Sequence, residues 1–208
     1  MEVLSFYGKG IASNTFLLRN ADDAVIIDAS CFDPIVKVCR ERNLNVRAIL
    51  LTHGHFDHTL YLSKLKDEFD APIYVHKNDA EMLSDGYLSA YNVFFDSFAY
   101  EKRPLADHLI YDDCNLKFGS ISLSVKCLPG HTSGSVTYQA DDLLFTGDIL
   151  FASSIGRCDL PSGDQALMNG SLKYFSQLPC DYKIYSGHGA NSDLNYVRNY
   201  NYYYNNLI

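Results

Sequence analysis

A histidine-rich motif directly after an apolar run is the feature that most limits what this chain can fold into. The run from Val46 to Leu51 is mainly apolar and predicts a buried strand. The seven residues after it are Thr52-His53-Gly54-His55-Phe56-Asp57-His58. A tight turn lets His53 and His55 converge on one metal ion, while Asp57 and His58 can face a second ion nearby. A polar loop with Asp57 as a helix cap is the alternative, but a cap needs no histidines, so the motif indicates metal binding.

Composition and charge limit the partners of the chain. It has 208 residues, of which 47% are hydrophobic, so it can bury a sizeable core. We expect a single domain over residues 1–208. The formal net charge of -8 argues against a protein that binds a phosphate backbone, because such a protein needs clustered Lys and Arg. We therefore expect a small-molecule substrate and no nucleic-acid partner, and the sequence is compatible with a homo-oligomer.

The cysteines and the hydropathy pattern indicate a cytoplasmic protein. The six cysteines are dispersed and form no C-x-x-C pair, which predicts reduced thiols rather than a zinc knuckle or a disulfide scaffold. The amino terminus lacks a basic region followed by an apolar segment, and no apolar run approaches the length of a membrane span. We expect a soluble chain with no membrane partner.

Strands and helices alternate in the first half of the chain, and strands dominate the middle. The predicted strands are 2–7, 14–19, 24–28, 46–51, 73–75, 115–118, 121–128, 135–140, 143–146 and 182–185. The first predicted helix has Asp33 as its cap and Pro34 in its first turn. Further helices are predicted over 60–69, about 78–84 and about 164–177, and Ser192 is the predicted cap of a last helix. The aromatic segment 86–108 is either a lid over a pocket or a loop that buries its own rings.

Three later positions repeat the combination of a glycine and a ligand-type side chain at the end of a strand. They are Gly130-His131, Gly147-Asp148 and Gly187-His188. Each pair alone is typical of an ordinary turn, whereas their joint occurrence with the histidine motif suits a two-metal site. The resulting ligand sets are His53, His55 and His131 for one ion, Asp57, His58 and His188 for the other, and Asp148 as a bridge. Thr52, Thr132 and Asp28 are candidates to orient ligand histidines, or else they form ordinary hydrogen bonds at strand ends. We expect His76 and His108 to be structural or surface residues.

The motifs THGHFDH, PGHTSGS, LLFTGD and SGHG together resemble the metallo-β-lactamase superfamily over residues 13–189. The resemblance implies the same seven ligands, with no position missing. It also implies an α+β fold, an αββα four-layer sandwich in which two mixed sheets pack face to face with helices outside. The metal site then lies at one edge, where the loops collect.

Finer residues favour one branch of this superfamily. True β-lactamases typically have a cysteine at the position of Asp148, flavo-diiron proteins have a glutamate at that of His55, and the nucleases add domains or basic arms. The run from Ser154 to Asp164 resembles the S-x-G-R-x-D-L-P-x-G-D pattern of the glyoxalase II group, although Cys158 and Ser162 depart from the residues of many relatives. The chain ends soon after the last ligand, so it resembles the short glyoxalase II-like hydrolases that lack a separate carboxy-terminal substrate-binding domain.

This resemblance implies a dinuclear metallohydrolase that acts on thioesters through a bridging hydroxide, with Asp57 orienting that hydroxide. Imidazole and carboxylate ligands permit zinc, iron or manganese, and zinc is the first expectation. Arg157 is a candidate contact for a substrate anion, or else forms a salt bridge to Asp159 or Asp164. Alternatives are a persulfide dioxygenase with one iron, a hydrolase of lactones or other esters, and an inactive metal-binding module.

Overall fold

Two six-stranded sheets form the centre of the computed structural model, which describes residues 1–95 and 100–207. The strands of the first sheet are β1 (Glu2–Phe6), β2 (Thr15–Asn20), β3 (Asp23–Ile27), β4 (Asn45–Leu50), β5 (Ile73–His76) and β6 (His108–Ile110), in that spatial order. The pairs β1–β2 and β2–β3 are antiparallel, and the pairs from β3 to β6 are parallel. The sheet is therefore mixed.

The second sheet contains the later strands of the chain. They are β7 (Cys114–Phe118), β8 (Ile121–Cys127), β9 (Val136–Ala140), β10 (Leu143–Gly147), β11 (Lys183–Ser186) and β12 (Ser192–Asp193). Their spatial order is β12-β11-β10-β9-β8-β7, and only β10 and β11 pair in parallel. The loop that joins β8 to β9 follows the carboxyl end of β8, because the two strands are antiparallel neighbours.

The helices follow in chain order and lie outside the sheets. They are α1 (Asp33–Glu41), α2 (Leu62–Phe69), α3 (Tyr91–Phe94), α4 (Gln165–Ser176), α5 (Leu194–Tyr200) and α6 (Tyr202–Leu207). Two 3₁₀ segments, Phe56–His58 and Lys77–Leu83, complete the described elements. Within the described ranges, no helix is both long enough and apolar enough to cross a bilayer.

Three hydrophobic clusters separate the four layers. The cluster between the sheets joins side chains such as Val25 and Leu50 to Tyr138 and Phe145. A second cluster packs α1 and α2 on the outer face of the first sheet, and a third packs α4 and α5 on the outer face of the second. The expectation of an αββα sandwich with two mixed sheets is confirmed.

Local predictions failed where tertiary contacts decide the structure. Strand β6 was not predicted, because three residues carry too little periodicity and the strand exists through its pairing with β5. Asp33 does not cap α1, since Phe32 occupies the cap position without a side-chain hydrogen bond, although proline does lie in the first turn. Ser192 belongs to β12, and the cap of α5 is Asp193, whose carboxylate accepts from the Tyr196 N–H at 2.8 Å.

Candidate metal centre

The four candidate ligand side chains of the histidine motif follow β4, and a tight turn holds them. The 3₁₀ segment Phe56–His58 reverses the chain, and the His58 N–H donates to the His55 carbonyl at 3.1 Å. The other three side chains follow β8, β10 and β11 of the second sheet. Backbone bonds join the two groups of loops, as where the Val136 N–H donates to the Thr52 carbonyl at 2.9 Å. The site is thus built from both sheets at one edge.

Three histidines form the first triad, His53, His55 and His131. His55 Nδ1 lies 3.1 Å from His53 Nε2 and 2.9 Å from His131 Nε2. His131 Nδ1 lies 2.7 Å from the Arg157 carbonyl oxygen, to which it can only donate, so His131 Nε2 carries a lone pair. The three ring nitrogens converge within 3.1 Å of His55 Nδ1, and their neutral rings can turn lone pairs toward one cation.

A second triad consists of Asp57, His58 and His188. His188 Nε2 lies 3.0 Å from Asp57 Oδ2, and His58 Nε2 lies 3.7 Å from the same oxygen. His58 is fully buried, whereas the side chain of His188 is 36% exposed. One ligand of the second triad is therefore reachable from solvent.

Asp148 lies between the two triads. Its Oδ1 is 3.2 Å from His58 Nε2, and its Oδ2 is 3.7 Å from His131 Nε2 and 3.5 Å from His188 Nε2. One carboxylate thus reaches nitrogens of both sets. This position suits a bridging ligand of two ions.

The polar atoms of the cluster fit a metal better than they fit one another. His58 Nε2 and Asp148 Oδ1 are both buried and, although they lie 3.2 Å apart, neither forms a hydrogen bond of good geometry. Such orphaned atoms are rare because leaving a buried polar group unpaired costs about 1–3 kcal/mol. A divalent cation coordinated by both atoms would satisfy them, so the residues present fit the metal that the sequence motifs imply.

Burial sets the charge of the first triad. Burial lowers the pKa of His53 well below its ordinary value, and the neighbouring His58 lowers it further. Burial likewise lowers the pKa of His55 to about 3. Both rings are therefore uncharged near neutral pH, which is the form that binds a metal ion.

Charge pairing sets the ionisation of the second triad. Burial alone would lower the pKa of His58, but the carboxylates of Asp28 and Asp148 outweigh burial and raise this pKa well above its ordinary value. Burial would raise the pKa of Asp148, yet His58 outweighs it and holds this pKa below the usual range. The carboxylates thus attract positive charge to this position, which a proton on His58 or a metal cation can supply.

Asp28 and Thr52 hold two of the histidine rings, as the sequence predicted. Asp28 Oδ2 lies 2.8 Å from His58 Nδ1, and the Thr52 hydroxyl donates to the same carboxylate at 2.9 Å. Because that hydroxyl has given its proton to Asp28, it accepts from His53 Nδ1 at 3.2 Å. Both rings therefore direct Nε2 into the cluster. Asp28 adopts this position with a φ of 59°, a left-handed conformation that costs energy outside glycine.

Glycine is required where the ligand loops approach one another. A Cβ on Gly187 would lie 2.1 Å from Asp148 Oδ1 and 2.6 Å from His58 Cε1. A Cβ on Gly156 would lie 1.8 Å from the Asp148 carbonyl oxygen. These contacts are far below van der Waals distance, so only glycine fits beside the ligands.

Asp79 is a buried carboxylate that the sequence analysis did not identify. It lies in the 3₁₀ segment Lys77–Leu83, and its Oδ2 accepts from the Gly54 N–H at 3.0 Å and from the Thr132 hydroxyl at 2.6 Å. Asp79 therefore ties the histidine motif to the loop of His131. Of the two alternatives for Thr132, an ordinary hydrogen bond is the one observed, because its hydroxyl donates to Asp79 rather than to a ligand histidine. Asp79 is not next to a glycine and not part of the histidine motif, so no sequence pattern distinguishes it from the other aspartates.

Arg157 contributes through its backbone and lies at the edge of the site. Its carbonyl fixes the tautomer of His131, as described above, while its guanidinium forms two bonds of 2.6 Å to the carboxylate of Asp159. The salt-bridge alternative of the sequence analysis is therefore the one observed, with Asp159 rather than Asp164. Arg157 still lines the cavity over the metal cluster, so the prediction that it contacts a substrate anion stays a prediction.

A cavity of about 310 Å³ opens over the two triads. Ala90 and Phe94 of the aromatic segment line it, and Phe56 of the histidine motif packs against the rings of Phe94 and Tyr91 at 6.1 and 5.5 Å between centroids. Of the described rings of the segment, Tyr91 and Tyr100 are half-buried, whereas Tyr87, Phe94 and Phe95 are exposed. Phe94 lines the cavity, and the role of the segment as a lid stays a prediction. Residues 96–99 of that segment lie outside the described residues.

The structure brings together all seven side chains that the sequence proposed as ligands. They are His53, His55, Asp57, His58, His131, Asp148 and His188. The remaining two histidines lie elsewhere, since His76 accepts from the Asn78 N–H and His108 stacks on Tyr74. The assignment of each side chain to a particular ion remains a prediction.

Comparison with known proteins identifies the class. The profile of the metallo-beta-lactamase superfamily matches residues 8–188, and the chain belongs to this superfamily. The probable metallo-hydrolase YqgX of Bacillus subtilis is 35% identical over 193 residues, which are 88% of each chain. A hydroxyacylglutathione hydrolase of Methylobacillus flagellatus is 31% identical over 173 residues, which are 83% of this chain and 60% of that protein. With the buried His and Asp cluster, this membership supports a metal-dependent enzyme.

Two solved structures resemble the chain over nearly its whole length. The BLEG-1 B3 metallo-beta-lactamase is 32% identical with a TM-score of 0.89, and the match covers 97% of this chain and 98% of that one. TTHA1623, solved in a di-iron-bound form, is 30% identical with a TM-score of 0.84 and covers 96% and 98%. Both share the fold described above.

Proposed function

We propose that the protein is a dinuclear metallohydrolase that cleaves thioesters. The observation that carries this proposal is the convergence of two ligand triads on one shared carboxylate, Asp148, beneath a cavity lined by Arg157 and Leu160. Those two lining residues belong to the run that resembles the glyoxalase II group. The similarity to a hydroxyacylglutathione hydrolase also supports this branch.

The residues of the cluster support hydrolysis as follows. Two divalent ions held here would supply Lewis acidity, which polarises a carbonyl and lowers the pKa of water from about 15.7 to about 7. Asp57 Oδ2 would accept a hydrogen bond from the attacking water and fix its direction. The leaving group is a thiolate, whose parent thiol has a pKa of about 8.5, so cleavage needs no dedicated general acid. This matches a cavity whose carboxylates, Asp57 and Asp148, both have lowered pKa values.

Zinc is the metal that we propose first. Imidazole and carboxylate ligands without thiolate suit zinc, iron and manganese alike. TTHA1623 was solved with two irons, which supports iron as the main competitor. Metal analysis of the purified protein distinguishes these candidates.

β-Lactam hydrolysis is the second candidate, because a similar structure is that of a B3 metallo-beta-lactamase. Asp148 stands where true β-lactamases typically have a cysteine, which favours thioesters over β-lactams. A direct comparison of the two kinds of substrate tests this preference. A mononuclear iron persulfide dioxygenase differs from both hydrolases because it consumes oxygen. Lactones complete the set of substrates to compare.

The proposed location is the cytoplasm, and the proposed partner is a small molecule. All six cysteines lie in the described part of the chain and none forms a disulfide there, which suits a reducing compartment. The acidic net charge of -8 disfavours nucleic acid.

The test is metal analysis combined with a substrate panel. We expect the metal-loaded protein to hydrolyse acylglutathione or acyl-CoA thioesters, and His55→Ala and Asp148→Ala to lower kcat/KM by at least about 10³-fold, because each removes a ligand of the cluster. Circular dichroism should show both variants folded. The matched control is His108→Ala, which removes a histidine outside the cluster and should retain activity. A metal-replete protein that turns over β-lactams, or consumes oxygen with a persulfide, but cleaves no thioester would contradict the proposal.

A further inference from the structure

We infer that the substrate is a thioester with an apolar, uncharged acyl group, which an apolar wall beside the metal cluster selects. This inference rests on the proposed function and names the substrate class of the same site. The wall consists of Ile11, Phe56, Ala90, Phe94, Phe151 and Leu160.

The wall belongs to the cavity that the metal cluster opens into. His55, His131 and His188 line the same cavity, so a carbonyl held at the cluster places its substituents against the wall. The ring of Phe151 lies 6.1 Å from that of His188 between centroids. An apolar substituent that packs against this wall gains about 25 cal/mol for each Å² of apolar surface removed from water.

The size of the cavity indicates that the acyl group, rather than the thiol carrier, occupies it. Its volume of about 310 Å³ is at the small end of ligand pockets. Carriers such as glutathione or coenzyme A are larger and highly polar, so they must extend through the opening. Ile11 and Phe94 are 52% and 51% exposed and therefore form the rim that such a carrier would pass.

Charge argues against an anionic acyl group. Among the described residues that line the cavity, Arg157 is the only one besides the histidines that has a cationic side chain. Asp159 already engages it through two bonds of 2.6 Å. A substrate carboxylate would have to displace Asp159 to reach the guanidinium of Arg157. An apolar acyl group can pack against the wall without breaking the ion pair of Arg157 and Asp159.

The apolar wall is anchored to the histidine motif. Phe56 is 4% exposed and packs against Tyr91, Phe94 and Phe95 at 5.5, 6.1 and 5.7 Å between centroids. Because Phe56 lies between ligands of both triads in the chain, the position of the short helix α3 is set relative to the metal cluster. Selectivity thus depends on side chains that can be changed without changing a ligand.

The experiment compares N-acetylcysteamine thioesters, whose thiol is small and neutral, with butanoyl, phenylacetyl, hydroxyacetyl and succinyl groups. We expect kcat/KM for butanoyl and phenylacetyl to exceed that for hydroxyacetyl and succinyl by at least about tenfold, because even one methylene in an apolar pocket changes specificity about 10-fold or more. Phe94→Ser should lower kcat/KM for phenylacetyl about tenfold more than it lowers kcat/KM for hydroxyacetyl. Val93→Ser is the matched control, since Val93 lies on the same short helix, is 48% exposed and does not line the cavity.

A binding measurement separates this inference from the proposed function. The probe is S-(2-phenylethyl)-N-acetylcysteamine, a thioether that cannot be hydrolysed, compared with its S-(2-hydroxyethyl) analogue by calorimetry on the metal-loaded protein. Tighter binding of the phenylethyl probe, weakened by Phe94→Ser but not by Val93→Ser, supports the apolar wall. Equal binding of the two probes, or a higher kcat/KM for hydroxyacetyl or succinyl, overturns it. If no thioester is cleaved, the proposed function fails, and the probe comparison alone still decides whether the wall selects apolar groups.

Discussion

At the scale of single residues, the metal centre depends on small and buried groups that are not ligands themselves. Gly187 leaves room for Asp148 and His58, and Asp79 ties two ligand loops together. The ligand side chains provide the chemistry, whereas these residues provide the positions that the chemistry requires. Substitutions at the two sites therefore separate geometry from ligand identity.

Gly187→Ala should disrupt the metal centre although every ligand is retained. The new Cβ would lie 2.1 Å from Asp148 Oδ1, so the carboxylate must leave its position between the triads. We expect a loss of at least about 10-fold in metal affinity, as for other changes next to ligands, measured by competition with a chromophoric chelator. Gly170→Ala is the control, because a Cβ there meets nothing within 4 Å. Equal metal affinity in the two variants would show that Asp148 does not need this space.

Asp79→Asn should remove a pH dependence of stability. Burial raises the pKa of Asp79 to about 6, while the unfolded chain has an ordinary value near 3.8. The folded state holds its proton longer, so wild-type stability is highest below the unfolded pKa and falls as the pH rises from about 4 to about 6. The fall is on the order of 3 kcal/mol, because one pKa unit corresponds to about 1.4 kcal/mol.

Urea unfolding of metal-free wild type and Asp79→Asn at several pH values measures this effect. Removing the metal keeps ligand protonation from changing metal occupancy, and the difference between the two proteins isolates Asp79. We expect the difference in unfolding free energy to change by about 2 kcal/mol between pH 4 and pH 6, and by the full amount between about pH 3 and about pH 7. Parallel profiles would mean that Asp79 remains ionised in the folded state.

At the scale of elements, the sequence predicted the architecture well and the contacts between elements poorly. Periodicity and turn residues located most strands. The histidine motif located four of the seven clustered side chains, and glycine next to His or Asp at strand ends located the other three. The short strand β6 and the break between α5 and α6 escaped, because tertiary pairing and the Asn201 side chain, which donates to the Phe151 carbonyl at 3.0 Å, determine them. Asp79 escaped for the same reason, since its partners are distant in the sequence.

Helix α4 offers a prediction at this scale. Its cap is Asp164, whose carboxylate accepts from the Leu167 N–H at 2.9 Å, and whose N–H donates to the Gly130 carbonyl beside His131 at 2.8 Å. Asp164→Ala should lower the free energy of unfolding by about 1 kcal/mol, the usual value of such a cap, measured by urea unfolding. Gln165→Ala changes the exposed neighbour and should have an effect below about 0.5 kcal/mol. A loss of equal size in both variants would exclude a specific role of the cap.

At the scale of the whole molecule, the candidate metal centre combines side chains that follow strands of both sheets. Four of the proposed ligands follow β4 of the first sheet, and three follow strands of the second. A metal bound only in the folded state stabilises by mass action, by about 2.7 kcal/mol at a free metal concentration of 100 times Kd. Because each triad combines residues of the histidine motif with a residue distant in the sequence, the unfolded chain cannot bind with the same geometry, and most of the stabilisation belongs to the assembled sandwich.

Removing the metal should therefore lower the thermal midpoint of the entire protein. For about 2.7 kcal/mol and a chain of this size, we expect a decrease in Tm of roughly 5–10 °C on chelation, since each kcal/mol corresponds to about 2–4 °C. Calorimetry should show that adding the metal restores Tm in wild type and in His108→Ala, whose ring lies outside the cluster. In Asp148→Ala the increase should be much smaller, because the carboxylate that reaches both triads is missing. An increase in Asp148→Ala as large as in wild type would mean that the ions bind at one triad without joining the two, and the dinuclear arrangement would have to be abandoned.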